Sequence, residues 1–343
     1  MSQQHWVVES ACLPEWPDWL VRCGGGFFHS PAGLWAGAPS GIPVLARLVD
    51  REAVCGLAVG VRTRCRLSLR PAHVYFPTLP AIADSTPPET ALEGLVRLLA
   101  RQGVAEVVLD SFDARWRPDS PAAAACVEAR HEYLVTLKPD PEALARNCSE
   151  THRRHVRLGQ REGWIFTSPV WTAGVAALEQ VQTAAAHRAE RRGPGFAVHR
   201  LHEAARPVTA EPGSPWGMRV LAAYRGETLL AAALIGWANR RAVYVAGGST
   251  SEGYACGAAV WLHWRIMSQL AEQGCTMYNL GGTPASAVQP GAPAHGLHRF
   301  KLGFGAQIVP CHGVRRTLRP AHLATHRWAR LLSWPVTHFL GKA

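Results

Sequence analysis

Two short runs near the C-terminal end combine residue types that could carry group-transfer chemistry. The first is Met277-Tyr278-Asn279-Leu280-Gly281-Gly282. An apolar strand ends there in a polar Asn and two glycines. Strand ends facing a loop are where α/β folds place ligands, and paired glycines let a backbone approach a substrate closely. The second is His298-Arg299-Phe300-Lys301-Leu302-Gly303-Phe304-Gly305. A lysine between aromatic and glycine residues can set a fixed positive charge beside a developing oxyanion. Each run alone also fits a plainer role, a turn after a strand and a lysine snorkelling from an amphipathic turn.

Further polar residues fall in two places. Gly247, Gly248 and Ser249, then Gly253 and Gly257, form a glycine-containing turn ahead of an apolar helix. Arg153, Arg154, Arg157 and Arg161 fall within about a quarter turn on a helical wheel, a phosphate-binding stripe or a solvated basic face.

Elements must position these residues. Two apolar runs, 43–50 and 53–62, flank Asp50-Arg51-Glu52 and predict a hairpin. A strand over 73–79 follows. Helical spacing covers 89–102 up to Gly103, and a buried strand covers 104–110. A strand over 131–137 precedes a long helix over 141–162, opened by Asp140-Pro141. A short strand at 164–167, a helix at 172–190 and a Gly/Pro-rich loop at 192–215 come next. The second half continues with a hairpin, 219–224 and 228–237, and a strand at 242–246. A helix at 256–273 ends at Gly274. A strand at 275–280 meets a loop opened by Gly281-Gly282. A short helix at 297–303 and a strand at 307–310 close the pattern. The first forty residues are rich in Pro, Gly and Trp and read as irregular. Hairpin, strand, Gly-ended helix and strand thus occur twice in the same order, which points to duplicated domains of α/β (α+β) class.

Composition excludes several classes. The 343 residues are 48% hydrophobic and 18% charged, as in a folded protein with a substantial core. No run reaches the ~20 apolar residues of a membrane span, and no signal peptide is read at the start. Nine cysteines without a Cys-x-x-Cys pair fit buried thiols in a reducing cytoplasm. The histidine pairs 152/155, 199/202 and 295/298 lack a third ligand at metal spacing, so no metal site is expected. Trp261 and Trp264 read as core. A net charge of +11 favours polyanionic partners. The tail 328–339 mixes Arg, Leu, Trp and Phe; it has the make-up of a membrane-surface helix or, more plainly, of a docked terminal segment.

Strand-Tyr278-Asn279-Leu280-Gly281-Gly282, a variable loop, then Gly296-Leu297-His298-Arg299-Phe300-Lys301-Leu302-Gly303-Phe304-Gly305 resembles the Fem-type branch of the GNAT acyltransferase superfamily. Asn147 to Gly163, with Arg153-Arg154, is similar to that family's helix entering the second domain. The resemblance covers roughly residues 40 to 312. It implies tandem GNAT-like domains, each a mixed twisted sheet flanked by helices, with domains at 1–138 and 139–343. The implied reaction is transfer of an aminoacyl group from aminoacyl-tRNA to an amine of a small molecule, peptide or cell-wall precursor. Two alternatives stand beside it: an acyl-CoA-dependent N-acyltransferase and a non-catalytic RNA- or partner-binding module.

Under that resemblance Lys301 is the catalytic residue. Tyr278, Asn279, Gly281, Gly282, Phe300, Arg153, Arg154 and Arg157 bind substrate. Gly247, Gly248, Ser249, Gly253 and Gly257 bind the donor. No tightly bound cofactor is implied; aminoacyl-tRNA or acyl-CoA is the co-substrate. tRNA and an amine-bearing acceptor are the partners; the option of peripheral membrane contact rests on the make-up of the tail, and the expected cytoplasmic compartment on the cysteines. The family commonly has Asp where this chain has Asn279. No Ser or Cys sits in a nucleophile motif, so direct transfer without a covalent enzyme intermediate is expected.

Overall fold

In the computed structural model the described residues are 4–37, 41–63, 72–116, 130–190 and 215–319. The loop expected at 192–215, save Pro215, and the tail 328–339 lie outside them. The described chain divides into two units, 4–116 with 311–319, and 130–310.

In the first unit the apolar runs about Asp50-Arg51-Glu52 fold as expected, into strands β2 (Ile42–Asp50) and β3 (Ala53–Thr63) paired from Asp50↔Ala53. β1 (His5–Glu9) pairs with β2, and α1 (Trp16–Arg22) and α2 (Pro31–Gly37) follow it. Residues 4–37 are therefore ordered into elements, against the expectation of an irregular start. Their anchors are tryptophans with distant partners. Trp6 Nε1 donates to the Ala91 carbonyl at 2.7 Å and the fully buried Trp16 donates to the His29 carbonyl at 2.9 Å. Elements this short carry little periodicity of their own; tertiary burial supplies the stability. β4 (Ala72–Phe76) and the two-residue β5 (Ala81–Ile82) lie against β3. α3 (Pro88–Arg101) buries Leu92, Leu95, Val96 and Leu99 and leads into β6 (Val104–Leu109), parallel to β4.

The second unit begins with β7 (Arg130–Thr136). The helix expected over 141–162 is two helices, α4 (Pro141–Asn147) and α5 (Glu150–Arg161). Cys148 is extended (ψ 151°), and Ser149 caps α5 by accepting from His152 N–H at 3.3 Å. A serine competes for backbone donors in this way and so starts helices better than it continues them. β8 (Ile165–Thr167) and α6 (Trp171–Glu190) precede β9 (Trp216–Arg225), β10 (Thr228–Ala238) and β11 (Arg241–Ser249). The apolar helix expected at 256–273 is α8 (Ala258–Glu272); a short helix, α7 (Ser251–Cys256), occupies the turn expected ahead of it, and Gly257 at φ +73° separates the two. A left-handed residue stops a helix, and glycine takes that conformation without a Cβ clash. β12 (Met277–Pro284), α9 (His295–Leu302) and β13 (Gln307–Cys311) complete the unit. A strand absent from the sequence reading, β14 (Val314–Thr317), pairs antiparallel with β6 of the first unit.

The two sheets repeat one plan. The first runs β1-β2-β3-β4-β6-β14, with β5 also on β3; the second runs β13-β7-β12-β11-β10-β9-β8. Each has a hairpin, then a parallel pair joined by a helix (β4/β6 and β11/β12), then an antiparallel strand outside the pair. That outer strand is β14 in the first unit and β7 in the second. So the boundary expected after residue 138 differs from the one observed: β7 belongs to the second sheet, and 311–319 belong with the first unit.

The second core contains Tyr133, Leu230, Trp261, Trp264, Tyr278 and Phe304, which places both tryptophans of α8 where the sequence put them. α7 docks on β10 so closely that a Cβ on Gly253 would stand within 1.9 Å of the Leu230 carbonyl oxygen. Gly253→Ala is expected to cost about 2 kcal/mol or more by overpacking against backbone, read as a lower urea midpoint at unchanged slope. An unchanged midpoint would contradict this packing.

Candidate active site

β11 and β12 run parallel but pair only from Arg241↔Met277 to Val243↔Asn279. Beyond that point β11 continues to Ser249 and β12 to Pro284 without pairing with each other. The strands part at their C-terminal ends, the side on which parallel sheets present ligand sites. β12 breaks its ladder with β7 at the same place, with a register shift between Asn279 and Gly282. Gly281 and Gly282 thus lie within a bulged strand rather than opening a loop. Asn279, fully buried, accepts the Gly281 N–H through Oδ1 at 2.8 Å and so shapes the bulge. Gly281 has φ +73°, and a Cβ on it would stand 3.3 Å from the Tyr244 carbonyl oxygen and 3.7 Å from Lys301 Nζ. The position calls for glycine on both counts.

Lys301 reaches this bulge from the last turn of α9. It is 2% exposed, donates from Nζ to the Gly282 carbonyl at 2.7 Å, and lies 5.4 Å from the centre of the Tyr133 ring. Charge-assisted hydrogen bonding and a ring face stabilise a buried ammonium. The Tyr133 hydroxyl lies 2.7 Å from His298 Nδ1 and 3.0 Å from Thr283 Oγ1. The structure therefore brings together Lys301, Asn279, Gly281 and Gly282. It adds Tyr133, Thr283 and His298, which lie up to 165 residues apart in sequence and had no local signal.

Tyr278 and Phe300 face elsewhere. Tyr278 is fully buried, its hydroxyl 2.9 Å from His263 Nδ1; burial raises its phenol well above the ordinary range. Strand alternation explains this: Asn279 and Tyr278 point to opposite faces of the sheet. Burial pushes His263 down to about 3, with the Lys301 charge and His152 adding to it. Phe300 packs against the core, edge-on to Phe304 at 5.2 Å, and its carbonyl accepts from His152 Nε2 at 2.9 Å.

The arginine stripe on α5 divides into two. Arg153 spans the α4–α5 break, donating to the Cys148 carbonyl at 3.1 Å and to Glu150 at 2.6 Å. Arg157 reaches Glu150 at 3.4 Å. Arg154 and Arg161 are exposed and make no hydrogen bond or ion pair among the described residues. The inner face of α5 is fixed by its histidines and Gly159. A Cβ on Gly257 would meet the His155 ring at 2.5 Å, and one on Gly159 would meet Trp261 at 2.4 Å.

The residues expected to bind a donor serve packing. A Cβ on Gly247 would strike the Ala232 carbonyl at 2.4 Å, and one on Gly248 the Val181 carbonyl at 2.9 Å. The Ser249 carbonyl accepts from Arg188 at 2.7 Å. Thr250 Oγ1 caps α7 by accepting from Gly253 N–H at 3.1 Å, and Glu252 in the first turn pairs with Arg225. A cleft of about 690 Å³ beside this turn is lined by Ala173, Gln180, Tyr224, Glu227, Thr250 and Glu252 among others; Lys301 does not line it. No group of three or more His, Cys, Asp or Glu is placed to hold a metal among the described residues. Burial pushes the Cys148 thiol up to about 11 and raises Cys256 and Cys275, which keeps them thiols rather than nucleophilic thiolates at neutral pH. No described helix is long and apolar enough to cross a membrane.

Comparison with known proteins agrees with this geometry. Residues 146–306 match the family model described as an acetyltransferase (GNAT) domain. No curated protein matches by sequence. Among solved structures the chain is similar to FemX, with a TM-score of 0.71 at 12% identity, covering 93% of this chain and 99% of that one. It is also similar to a tandem GNAT protein from the clavulanic acid biosynthesis pathway, with a TM-score of 0.50 at 12% identity, covering 92% and 99%. A conserved protein of unknown function from Bacteroides thetaiotaomicron gives 0.55 at 10%, covering 90% and 98%. The two repeated sheets agree with these matches: residues 146–306 match a GNAT acetyltransferase domain, and the chain has the tandem GNAT-like fold that FemX shares.

Proposed function

We propose that the protein is an acyltransferase that moves an aminoacyl group from aminoacyl-tRNA to an amine of a small molecule, peptide or cell-wall precursor. The observation that carries this reading is the buried Lys301 ammonium held at the bulge where β11 and β12 part. A fixed cation there stabilises the oxyanion formed when an amine attacks an ester, or the ribose hydroxylate that leaves. The remaining gain comes from aligning donor and acceptor. Asn279, Gly281 and Gly282 shape the backbone against which the reacting carbonyl lies.

The α7 turn favours a tRNA donor over acyl-CoA. Thr250 already satisfies the Gly253 N–H that a pyrophosphate would take, and Glu227 and Glu252 line the adjoining cleft. Carboxylates there oppose a polyphosphate. Exposed Arg154, Arg157 and Arg161 suit an RNA backbone. The test is donor consumption by the full-length protein with charged tRNA and, separately, with acyl-CoA. Activity that survives RNase and releases a thiol overturns the tRNA reading and supports the acyl-CoA one. Replacing Arg154, Arg157 and Arg161 together by Glu is expected to weaken tRNA binding by about tenfold or more at low salt, with the difference shrinking as salt rises. Equal affinities at every salt concentration would remove this helix from the RNA contact.

A further inference from the structure

We infer that Tyr133 and His298 are positioning residues for Lys301, acting through one buried hydrogen-bonded chain; the inference rests on the acyl-transfer reading of the Lys301 site. Four links close a circuit. Lys301 donates to the Gly282 carbonyl at 2.7 Å. Thr283, the next residue, lies 3.0 Å from the Tyr133 hydroxyl. That hydroxyl lies 2.7 Å from His298 Nδ1. His298 stands one turn before Lys301 on α9, so the two share a helix face. The Tyr133 ring, pinned at its hydroxyl end by strand and helix together, presents its face to the ammonium at 5.4 Å.

A core that needed only volume here would hold Phe and Leu. Burying a phenol, an imidazole and a threonine hydroxyl costs desolvation that packing alone does not repay, and a satisfied network returns it as a unique geometry. Without its hydroxyl bonds the Tyr133 ring could slide or tilt, and the lysine above it would lose its fixed height over the bulge. A cation misplaced by a fraction of an ångström forfeits much of its effect on a developing charge.

The chain has a direction. A neutral His298 with its proton on Nε2 accepts at Nδ1 from the Tyr133 hydroxyl, and the Tyr133 oxygen accepts from Thr283. Protonated His298 cannot accept; its Nδ1–H donates to the Tyr133 oxygen instead, so acid reverses the chain and sets a second cation one turn from Lys301. The ionisable groups near His298 are His295, Arg299 and Lys301 on α9 and His131 and Tyr133 on β7. Arg130 and Glu132 lie on the other face of β7 by alternation. β12 brings Tyr278, which is bonded to His263, and residues 285–288 bring none. Burial first, then His295 and His131, hold His298 below its ordinary range, which keeps the neutral form in place near pH 7.

The experiment compares full-length Tyr133→Phe, His298→Leu and His298→Asn with wild type in transfer assays across pH. Asn can offer an acceptor near the place of Nδ1 and does not titrate. Tyr133→Phe and His298→Leu are expected to lower kcat by about tenfold with KM within about twofold. His298→Asn should restore most of kcat and abolish the acid limb of the wild-type profile. Leu and Asn variants of equal activity, or a Tyr133→Phe enzyme as fast as wild type, overturn the inference. The ¹⁵N spectrum of the His298 ring separates this outcome from the activity itself. Wild type is expected to show neutral imidazole protonated at Nε2, with Nδ1 changed by Tyr133→Phe. If wild type transfers no acyl group from either donor, the functional reading fails, and an Nδ1 signal indifferent to Tyr133→Phe would independently refute the chain.

Discussion

Replacing Lys301 by methionine is expected to lower kcat by about a hundredfold or more, the loss found when one preorganised donor is removed from an oxyanion site. Methionine keeps most of the volume and apolar stem, so the packing of α9 on β12 should survive. The Gly282 carbonyl loses its donor, at about 1–3 kcal/mol of stability. A single-turnover assay and a urea melt measured together distinguish chemistry from unfolding. The expected pattern is a large fall in turnover with a modest fall in the urea midpoint. Arginine should not rescue, because a planar fork is a different shape from a point charge in a site this closed. If the methionine variant turns over within about threefold of wild type with its fold intact, Lys301 is a structural cation and a non-catalytic binding module becomes the better reading.

Acid is expected to destabilise the second unit well before its carboxylates are protonated. His263 is pushed down to about 3 and His152 to about 4, in both cases chiefly by burial. In the unfolded chain both rings titrate near the ordinary value of about 6.5. Between about pH 6.5 and the lowered values the unfolded state binds protons that the folded state refuses, so unfolding free energy falls as pH falls. Each ring withdraws about 1.4 kcal/mol per pH unit across its window, which sums to several kcal/mol by pH 4. The loss is complete only below the folded values. The measurement is a series of urea midpoints from pH 7.5 to 4. His263→Gln should flatten its share of the slope, whatever it costs in absolute stability. A wild-type midpoint independent of pH above 4.5 would show that these rings are not buried neutral.

Local pattern determined the element order. Alternation and β-branched runs marked the hairpins at 42–63 and 216–238, and helical spacing marked α3. Where the reading went astray, a single residue decided against periodicity. Ser149 could continue a helix by propensity, but its side chain caps α5 instead. The turn ahead of α8 holds a short helix, α7, which Thr250 caps at its start and Gly257 ends at positive φ. β14 is only four residues long and gains its partners from β6, some two hundred positions earlier in the chain, so nothing near it announced a strand.

The candidate site divides in the same way. Tyr278 through Gly282 and Phe300-Lys301 were legible as a pair because residue type and spacing carry the chemistry: a strand, two glycines and an isolated lysine. The sequence by itself thus determined that a cation and a permissive backbone lie in the last third of the chain. It could not say which way each side chain points. The bulge after Asn279 and the opposite faces of β12 decided that Tyr278 is core and that Lys301 meets Gly282. Tyr133, Thr283 and His298 join the site across β7, β12 and α9, and hydrogen bonds over such separations have no signature in spacing. The arginines of α5 share one stripe in sequence, yet Glu150 falls on that stripe and engages Arg153 and Arg157. Periodicity fixes which residues share a face; what that face meets depends on contacts made by the rest of the chain.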